Sequence, residues 1–216
     1  MNIGVLGTGM VGRAIGSKLV SLGHSVTMGS RTAANDRASE WAAAGGERAA
    51  HGTFADAAAF GEVVFNCTAG LHSLEALRAA GAAHLEGKVL IDVANALDGS
   101  RGMPPRMGVP DDDSLGEQIQ RAFPAARVVK TLNTVNCEVM VEPGKVPGLH
   151  TIFLSGDDAA AKSDVRALLR EFGWPDEAVL DLGDITTARG PEMYLPLWLR
   201  LWGALGTGHL NIAVMR

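Results

Sequence analysis

Short apolar runs alternate along the chain with longer stretches in which apolar residues recur every three or four positions. The runs predict buried β-strands at Asn2–Leu6, Ser25–Gly29, Glu62–Cys67, Lys88–Asp92 and Arg127–Thr131. The intervening stretches predict helices over residues 10–22, 32–44, 53–60, 71–80 and 114–123. Strands that alternate with single helices indicate an α/β fold with a doubly wound parallel sheet.

A glycine-rich turn joins the first predicted strand to the first predicted helix. Gly7, Gly9 and Gly12 have the spacing G-x-G-x-x-G, which in a strand–turn–helix context is the fingerprint of a Rossmann-like dinucleotide-binding unit. The backbone N–H groups from Thr8 to Val11, at the positive end of the helix dipole, are expected to face the pyrophosphate. The predicted phosphate-binding residues are Gly7, Thr8, Gly9, Met10, Val11 and Gly12.

The end of the second strand predicts which dinucleotide is bound. Ser30 lies where NAD-binding units place an acidic residue, about 20 residues after the turn. Ser30 and Thr32 offer hydroxyl donors, Arg31 offers a bidentate charged donor, and Arg37 adds a second positive charge. These residues favour NADP(H) over NAD(H). The alternative is that Arg31 is a solvated arginine at the end of a strand.

The carboxyl ends of the later strands predict the other half of the cleft, because ligands lie there in open parallel sheets. Thr68, Ala69, Ala94, Asn95 and Ala96 are therefore expected to surround the nicotinamide. Polar residues after the strand at 127–131 are expected to face the substrate, namely Asn133, Thr134 and Asn136. The loop over residues 97–113, rich in glycine and proline, is predicted to be a lid or a mobile connector.

The last part of the chain predicts a small extension of strands and helices. Strands are expected at 151–155 and 179–182, with a helix opening at Asp157 and Asp158. Residues 192–210 are mostly apolar but interrupted by Pro196 and Arg200, which argues against a membrane span. They predict a helix buried on several sides, at a subunit interface or as a wall of a substrate cleft that includes Trp198 and Trp202. Packing onto its own domain is the alternative.

This pattern divides the chain into an NADP-binding domain, residues 1–150, and an extension, residues 151–216, that forms the acceptor cleft and a dimer interface. The net charge of −5 and the pI near 5.7 give no support for nucleic-acid binding. Two cysteines, Cys67 and Cys137, are too few for a disulfide framework, and the chain shows no signal peptide, so a cytoplasmic location is expected.

The sequence shows no metal-binding spacing and no nucleophile elbow, and its six histidines are scattered. It also shows no acid/base pair of the kind that alcohol dehydrogenases need, so no catalytic side chain is predicted. Hydride exchange between a nicotinamide and a second organic redox cofactor makes a smaller demand, because the protein mainly holds two rings in register. These observations favour a cofactor-to-cofactor reductase.

Several segments together resemble one family across the whole chain. They are residues 1–12, Gly29–Arg31, Val89–Asn95, Val129–Thr134, Tyr194–Leu197 and Gly206–Ile212. The chain resembles the NADPH-dependent reductases of the deazaflavin coenzyme F420 and their dinucleotide-binding relatives, which include the NADPH domain of membrane ferric reductases. Archaeal members carry a histidine about where Asn133 stands.

The resemblance implies that Thr8 to Val11, Ser30 and Arg31 bind NADP(H), and that the deazaflavin lies over the nicotinamide near Asn95 and Asn133. The function then expected is hydride transfer between NADP(H) and coenzyme F420 in a homodimer. The alternatives are an NADPH-dependent reductase of flavin or another small molecule, and an NADPH-binding sensor without turnover.

Overall fold

The computed structural model describes residues 1–215. Its strands, in chain order, are β1 (Asn2–Leu6), β2 (Ser25–Ser30), β3 (Ala49–Thr53), β4 (Val63–Asn66), β5 (Val89–Asp92), β6 (Leu97–Asp98), β7 (Arg106–Met107), β8 (Arg127–Lys130), β9 (Ile152–Leu154) and β10 (Val179–Asp181). Its α-helices are α1 (Met10–Ser21), α2 (Asp36–Gly45), α3 (Phe54–Phe60), α4 (Ser73–Ala80), α5 (Ala82–Leu85), α6 (Leu115–Ala122), α7 (Cys137–Val141), α8 (Ala159–Phe172), α9 (Arg189–Met193) and α10 (Leu195–Leu205).

The main sheet has six parallel strands in the order β3-β2-β1-β4-β5-β8. The chain starts in the middle of the sheet, adds strands on one side of β1, and then crosses over to add strands on the other side. The strand order therefore reverses between β1 and β4, and ligand crevices in open α/β sheets lie at such a point. The predicted α/β, Rossmann-like fold is confirmed.

The central strands are buried on both faces, and alternate residues belong to two separate hydrophobic clusters. Val89 and Ile91 of β5 join a cluster that also contains residues of α1, α2, α7 and α8. Leu90, between them, joins a second cluster with residues of α3, α4 and α6. This period of two is what a strand covered by helices on both sides requires.

The part after residue 150 attaches to the open edge of the sheet. β9 and β10 form a parallel pair, and β9 meets β8 in an antiparallel bridge between Lys130 and Ser155, with N–O distances of 2.8 and 3.1 Å. Ile152, Leu154 and residues of α8 belong to the same cluster as β1. The cluster thus contains residues from both sides of the predicted boundary at 150, and that division stays a prediction.

The end of the chain returns to β9 after α10. The N–H of Thr151 donates to the carbonyl of Ile212 at 2.8 Å, and the N–H of Val214 donates to Thr151 Oγ1 at 3.0 Å. Asn211 Nδ2 donates to the carbonyl of Thr151 at 2.9 Å. A C-terminal extension of strands and helices is therefore present.

The structure differs from the sequence predictions at one helix start and contains two elements that were not predicted. The second helix starts at Asp36 rather than Thr32, because the Asn35 side chain caps it by accepting from the N–H of Ala38 at 3.0 Å. The edge strand β3 was not predicted, since its residues Ala-Ala-His-Gly-Thr lack an apolar alternation. Helix α7 was not predicted either, although Asn136 stands at its N-cap.

Residues 1–215 alone do not bury the apolar segment 192–210 on several sides, and its predicted place at a subunit interface stays a prediction. Within α10 only Leu195 is buried, whereas Leu197 is 55% and Leu205 61% exposed. Leu195 faces the body of the molecule, whereas residues 1–215 cover less than half of the Leu197 and Leu205 side chains. The apolar composition of α10 therefore does not arise from burial in the core of this chain.

Candidate functional site

The glycine turn has a backbone that admits no side chain at two of its three positions. Gly7 has φ of +119°, which L-residues rarely adopt. A Cβ at Gly12 would lie 2.0 Å from the carbonyl oxygen of Gly7, so helix and turn contact each other directly. A Cβ at Gly9 would meet no atom of residues 1–215 within 4 Å. Gly9 therefore keeps open the side from which a ligand can approach the backbone.

The N-terminus of α1 is left without a cap. Gly9 is its N-cap and offers no side chain, and the first turn carries no acidic residue. By contrast α2, α3, α6, α7 and α8 are each capped by a side chain. The first N–H groups of α1 and the positive end of its dipole are thus available to an anion, which fits the pyrophosphate of a dinucleotide.

A cleft of about 380 Å³ contains this turn. It is lined by Gly7, Thr8, Gly9, Arg31, Phe54, Cys67, Thr68, Ala69, His72, Glu75, Ala76 and Ala79. The structure therefore brings the predicted arginine to the cleft that contains the glycine turn. Arg31 is exposed, with no carboxylate among residues 1–215 within ion-pair distance.

The neighbours of Arg31 take different positions from those predicted. Ser30 is buried, and its hydroxyl donates to the carbonyl of Thr32 at 2.5 Å, so its hydrogen is used within the loop. Thr32 is exposed outside the lining of this cleft. Arg37 lies in a separate groove between α1 and α2, together with Arg13 and Trp41. Of the four residues predicted for the 2′-phosphate, the structure places one in the cleft.

A second cleft, of about 540 Å³, meets the first at Cys67 and Thr68. It lies at the carboxyl ends of the strands and extends to the C-terminal helix. It is lined by Met10, Val11, Cys67, Thr68, Val93, Ala94, Asn95, Leu97, Asn133, Val135, Asn136, Cys137, Glu138, Met140, Leu195, Trp198, Leu199, Trp202 and Gly208. Most of the residues predicted for the nicotinamide and the substrate are in this set. Ala96 and Thr134 are buried outside it.

Two asparagines on neighbouring strand ends fix each other at the floor of the second cleft. Asn95 Nδ2 donates to the carbonyl of Asn133 at 2.8 Å, and Asn133 Nδ2 donates to Asn95 Oδ1 at 3.1 Å. Asn136, which also lines the cleft, caps α7: its Oδ1 accepts from the N–H groups of Glu138 and Val139. The cleft thus has amide groups held in a defined orientation.

The opposite wall of the second cleft is aromatic and apolar. Trp198 and Trp202 are stacked, with ring centroids 6.2 Å apart and an interplanar angle of 19°. The indole N–H of Trp198 is buried and finds no acceptor among residues 1–215. A buried donor without a partner at the edge of a cleft is a group that a ligand can satisfy. Flat apolar side chains facing fixed amides suit a planar, partly polar ligand.

The ionisable groups that line the second cleft are each held in one protonation state. Burial, together with the negative charge of Asp92, raises the pKa of the Cys67 thiol above its ordinary value. Burial also raises the pKa of Cys137, with a contribution from Glu138. Hydrogen bonds from Lys145 and His209 lower the pKa of the Glu138 carboxyl. Near neutral pH the two thiols are thus protonated and the carboxylate is ionised and paired.

A group of buried charges behind the cleft was missed in the sequence. Lys130, Asp92 and Glu192 are each 1% exposed or less, and the Lys130 ammonium lies 2.8 Å from an oxygen of each carboxylate. Two of them carry a signal that sequence reasoning overlooked, because Asp92 and Lys130 are opposite charges at the ends of apolar strands. They are paired in register in β5 and β8. Glu192, inside an apolar segment, carries no such signal.

Among residues 1–215, no group of three or more His, Cys, Asp or Glu side chains is arranged to hold a metal ion. In the same part of the chain, no helix is both long and apolar enough to cross a membrane.

A glycine turn, an uncapped helix N-terminus and two joined clefts at the reversal point of a parallel sheet define a dinucleotide-binding domain. A family model described as NADP oxidoreductase, coenzyme F420-dependent, matches residues 2–96. The chain is 53% identical to a proposed F420-dependent NADP reductase from Arthrobacter sp. FB24, with a TM-score of 0.93 over 99% of both chains. The protein belongs to the coenzyme F420-dependent NADP oxidoreductase family and is an NADP-linked oxidoreductase.

Two further proteins are similar to the chain. The chain is 30% identical over 203 residues to the metalloreductase STEAP3 of Rattus norvegicus, covering 91% of this chain and spanning 37% of the length of that relative. A reductive aminase from Aspergillus terreus, solved with NADPH4, cyclohexanone and allyl amine, is 19% identical with a TM-score of 0.64 over 95% of this chain and 62% of that one. At that identity the likeness shows the fold alone.

Proposed function

We propose that the protein transfers a hydride directly between NADP(H) and the deazaflavin coenzyme F420. In the direction of F420 reduction, NADPH, F420 and a proton from water give NADP⁺ and reduced F420. The nicotinamide supplies or takes up the hydride at its ring carbon. The protein residues bind the two molecules, align them and keep water away from the point of transfer.

The observation that supports this reaction is the absence of a titrating side chain in the second cleft as residues 1–215 form it. The three ionisable groups of its lining are two protonated thiols and one paired carboxylate. An alcohol or hydroxy-acid dehydrogenase needs a group there that exchanges the hydroxyl proton, with a pKa near the working pH. Transfer from ring to ring requires no such group.

The first cleft supports NADP(H) as the dinucleotide. The N–H groups at the start of α1 receive the pyrophosphate, and Arg31, exposed in the same cleft, offers two donors to the 2′-phosphate of the adenosine ribose. Ser30 shapes the loop that carries this arginine through its bond to Thr32. The choice of NADP(H) therefore depends mainly on Arg31.

The second cleft supports a planar partner for the nicotinamide. The amide pair of Asn95 and Asn133 offers fixed hydrogen-bonding groups on one side, and the stacked Trp198 and Trp202 close the other side. We assign Asn95 and Thr68 to the nicotinamide, and Asn133, Asn136 and the two tryptophans to the acceptor. A homodimer and a cytoplasmic location are part of the same proposal.

A second candidate is an NADPH-dependent reductase that delivers electrons to a flavin. It is favoured by the 30% identity to a metalloreductase over 91% of this chain. The two candidates share the first cleft and differ in the ring that occupies the second one.

The test is a deuterium-transfer experiment. NADPH carrying deuterium at both positions of the nicotinamide C4 is mixed with the protein and purified F420 in ordinary water, and the absorbance and mass of the deazaflavin are followed. Direct transfer bleaches the chromophore and adds one deuterium to it, because a hydride delivered to carbon does not exchange with water. The reaction is repeated with FMN in place of F420, and with heat-denatured protein as the control.

Reduction of FMN without reduction of F420 would support the second candidate and reject the first. Binding of NADPH without bleaching of either chromophore would leave a binding module without turnover. Bleaching of F420 without deuterium in the product would show that the hydride does not pass directly.

A further inference from the structure

Lys130 lies at the centre of a fully satisfied set of buried hydrogen bonds. Its ammonium group has three hydrogens and three acceptors: Asp92 Oδ2 at 2.8 Å, Glu192 Oε1 at 2.8 Å, and the carbonyl of Ala94 at 2.5 Å. The side chain is 1% exposed. Burial alone lowers the pKa of this lysine, but the charges of Asp92 and Glu192 outweigh burial and raise it, so the group is charged.

One branch of this set of hydrogen bonds leads to Asn95 and Thr68, the two residues assigned to the nicotinamide. The Ala94 carbonyl directly precedes Asn95, which lines the cleft. Asp92 Oδ1 accepts from Asn66 Nδ2 at 2.8 Å, and Asn66 Oδ1 accepts from the hydroxyl of Thr68 at 2.7 Å. Ala94, Asn95 and Thr68 are thus held relative to one another through buried side chains of three neighbouring strands.

The other branch leads to the C-terminal helices. The Glu192 carboxylate accepts from the N–H groups of Leu115 at 2.8 Å and Gly116 at 3.0 Å, at the start of α6. Glu192 belongs to α9, and α10 follows immediately with Leu195 and Trp198 in the lining of the cleft. The bond from Lys130 to Glu192 therefore joins the strand ends to the helix that forms the opposite wall.

We propose that Lys130 is a positioning residue that sets the distance between the nicotinamide wall and the Trp198 wall of the second cleft. It touches neither NADPH nor the acceptor and acts through Ala94, Asp92 and Glu192. Its effect on rate rests on the proposed function, whereas its effect on the bound nicotinamide depends on NADPH binding alone.

A general contribution to stability does not explain the arrangement well. Replacing a whole buried charge group of this kind by apolar side chains often costs no stability, because desolvation of the ions offsets their attraction, although removing one partner alone is destabilising. Here two carboxylates share one ammonium, and the excess negative charge faces the N-terminus of α6. What the group does provide is a fixed geometry between three strand ends and one helix, which a reaction between two rings needs.

The test replaces Lys130 with methionine, which keeps the length of the chain and removes its three donors. The matched control is Val165→Ala in α8, a buried substitution on the opposite face of the sheet, in the cluster that excludes α6. For the wild type and both variants, three quantities are measured: the melting temperature, the Kd for NADPH by calorimetry, and the emission and anisotropy of the nicotinamide of bound NADPH. kcat and KM are then measured with F420.

We expect Lys130→Met to raise the Kd for NADPH by no more than about threefold, because the phosphate end is bound at a distant site. We expect the nicotinamide emission and anisotropy of the complex to fall towards those of free NADPH. We also expect kcat to fall about tenfold to a hundredfold, the cost of misplacing reacting groups by about 1 Å. Val165→Ala is expected to lower the melting temperature and leave the nicotinamide signal and kcat as in the wild type.

A Lys130→Met protein with the nicotinamide signal and kcat of the Val165→Ala control would overturn the assignment. If Lys130→Met does not fold, Glu192→Gln takes its place: it keeps the shape of the side chain and weakens one branch, and a smaller loss of the same kind, about threefold to tenfold in kcat, is expected. An unchanged kcat and signal in that variant would equally reject the proposal. A wild-type protein that binds NADPH but does not reduce F420 contradicts the proposed function, and the nicotinamide signal still decides the role of Lys130.

Discussion

Arg31 and Arg37 are the same residue type, but their positions on the backbone give them different surroundings. Both are exposed arginines near the end of β2, and both were predicted to bind the same phosphate. The backbone places Arg31 in the cleft with Gly7 and Gly9, and places Arg37 on the first turn of α2, in the groove beside α1. They therefore form a matched pair in which only Arg31 lines the cleft that contains the glycine turn.

Replacing Arg31 with alanine is expected to lower the preference for NADPH over NADH about tenfold to a hundredfold. A charge-assisted hydrogen bond contributes about 1.5–3 kcal/mol to the binding of NADPH. NADH has no 2′-phosphate, so its affinity does not depend on this bond. The measurement is the ratio of the two Kd values by calorimetry, with Arg37→Ala as the control of equal charge. An equal change of the ratio in both variants would point to a general electrostatic effect instead of a contact.

The residues that the sequence predicted are those whose chemistry depends on local spacing. The glycine turn was predictable because its three positions are defined within six residues of one another. Glu192 was not, because its partners Lys130, Leu115 and Gly116 are brought to it by the fold. Thr134 was predicted to face substrate because it follows a strand, and its burial depends on packing that no local pattern specifies.

At the scale of elements, the turn and α1 act as one unit. Gly9 and Gly12 are both glycines of the same motif, but a Cβ at Gly12 would lie 2.0 Å from a backbone oxygen, whereas one at Gly9 would meet nothing within 4 Å among residues 1–215. Gly9 also has φ of −76°, which any residue can adopt. Gly12 is therefore required for the packing of the helix against the turn, and Gly9 for the approach of a ligand.

This difference predicts opposite outcomes for two alanine substitutions. Gly12→Ala is expected to lower the melting temperature, because the turn must move away from the helix to admit the methyl group. Gly9→Ala is expected to keep the melting temperature within about 2 °C and to weaken NADPH binding, because the methyl group occupies the approach of the pyrophosphate. Thermal unfolding and calorimetry on both variants check this. A Gly9→Ala protein that binds NADPH as the wild type does would show that the phosphates lie elsewhere.

At the scale of the whole molecule, the fold was predictable and the surface of α10 was not. Alternating apolar runs and helical repeats specify a layered parallel sheet, because each strand must be covered on both faces. An apolar helix, in contrast, has the same composition whether its own chain or another molecule covers it. Leu197 and Leu205 are more than half exposed, and Met193 is 52% exposed beside them.

The proposed homodimer gives these side chains a partner. We expect the protein to be a dimer at micromolar concentration and the double variant Leu197→Glu with Leu205→Glu to be a monomer, because two charges per subunit cannot be buried against an apolar face. Sedimentation equilibrium checks both. A control with Leu149→Glu, which is also exposed but lies outside α10, is expected to remain a dimer. A wild-type monomer would reject the dimer.

The return of the chain to β9 after α10 has a consequence for how ligands reach the cleft. One end of α10 follows Glu192, which is bonded into the body of the molecule, and the other end continues into residues that are bonded to Thr151. A helix that is held at both ends cannot open by rotating about a hinge at one end. We therefore expect ligands to enter and leave the cleft beside α10, with both ends of this helix still bonded to the rest of the molecule.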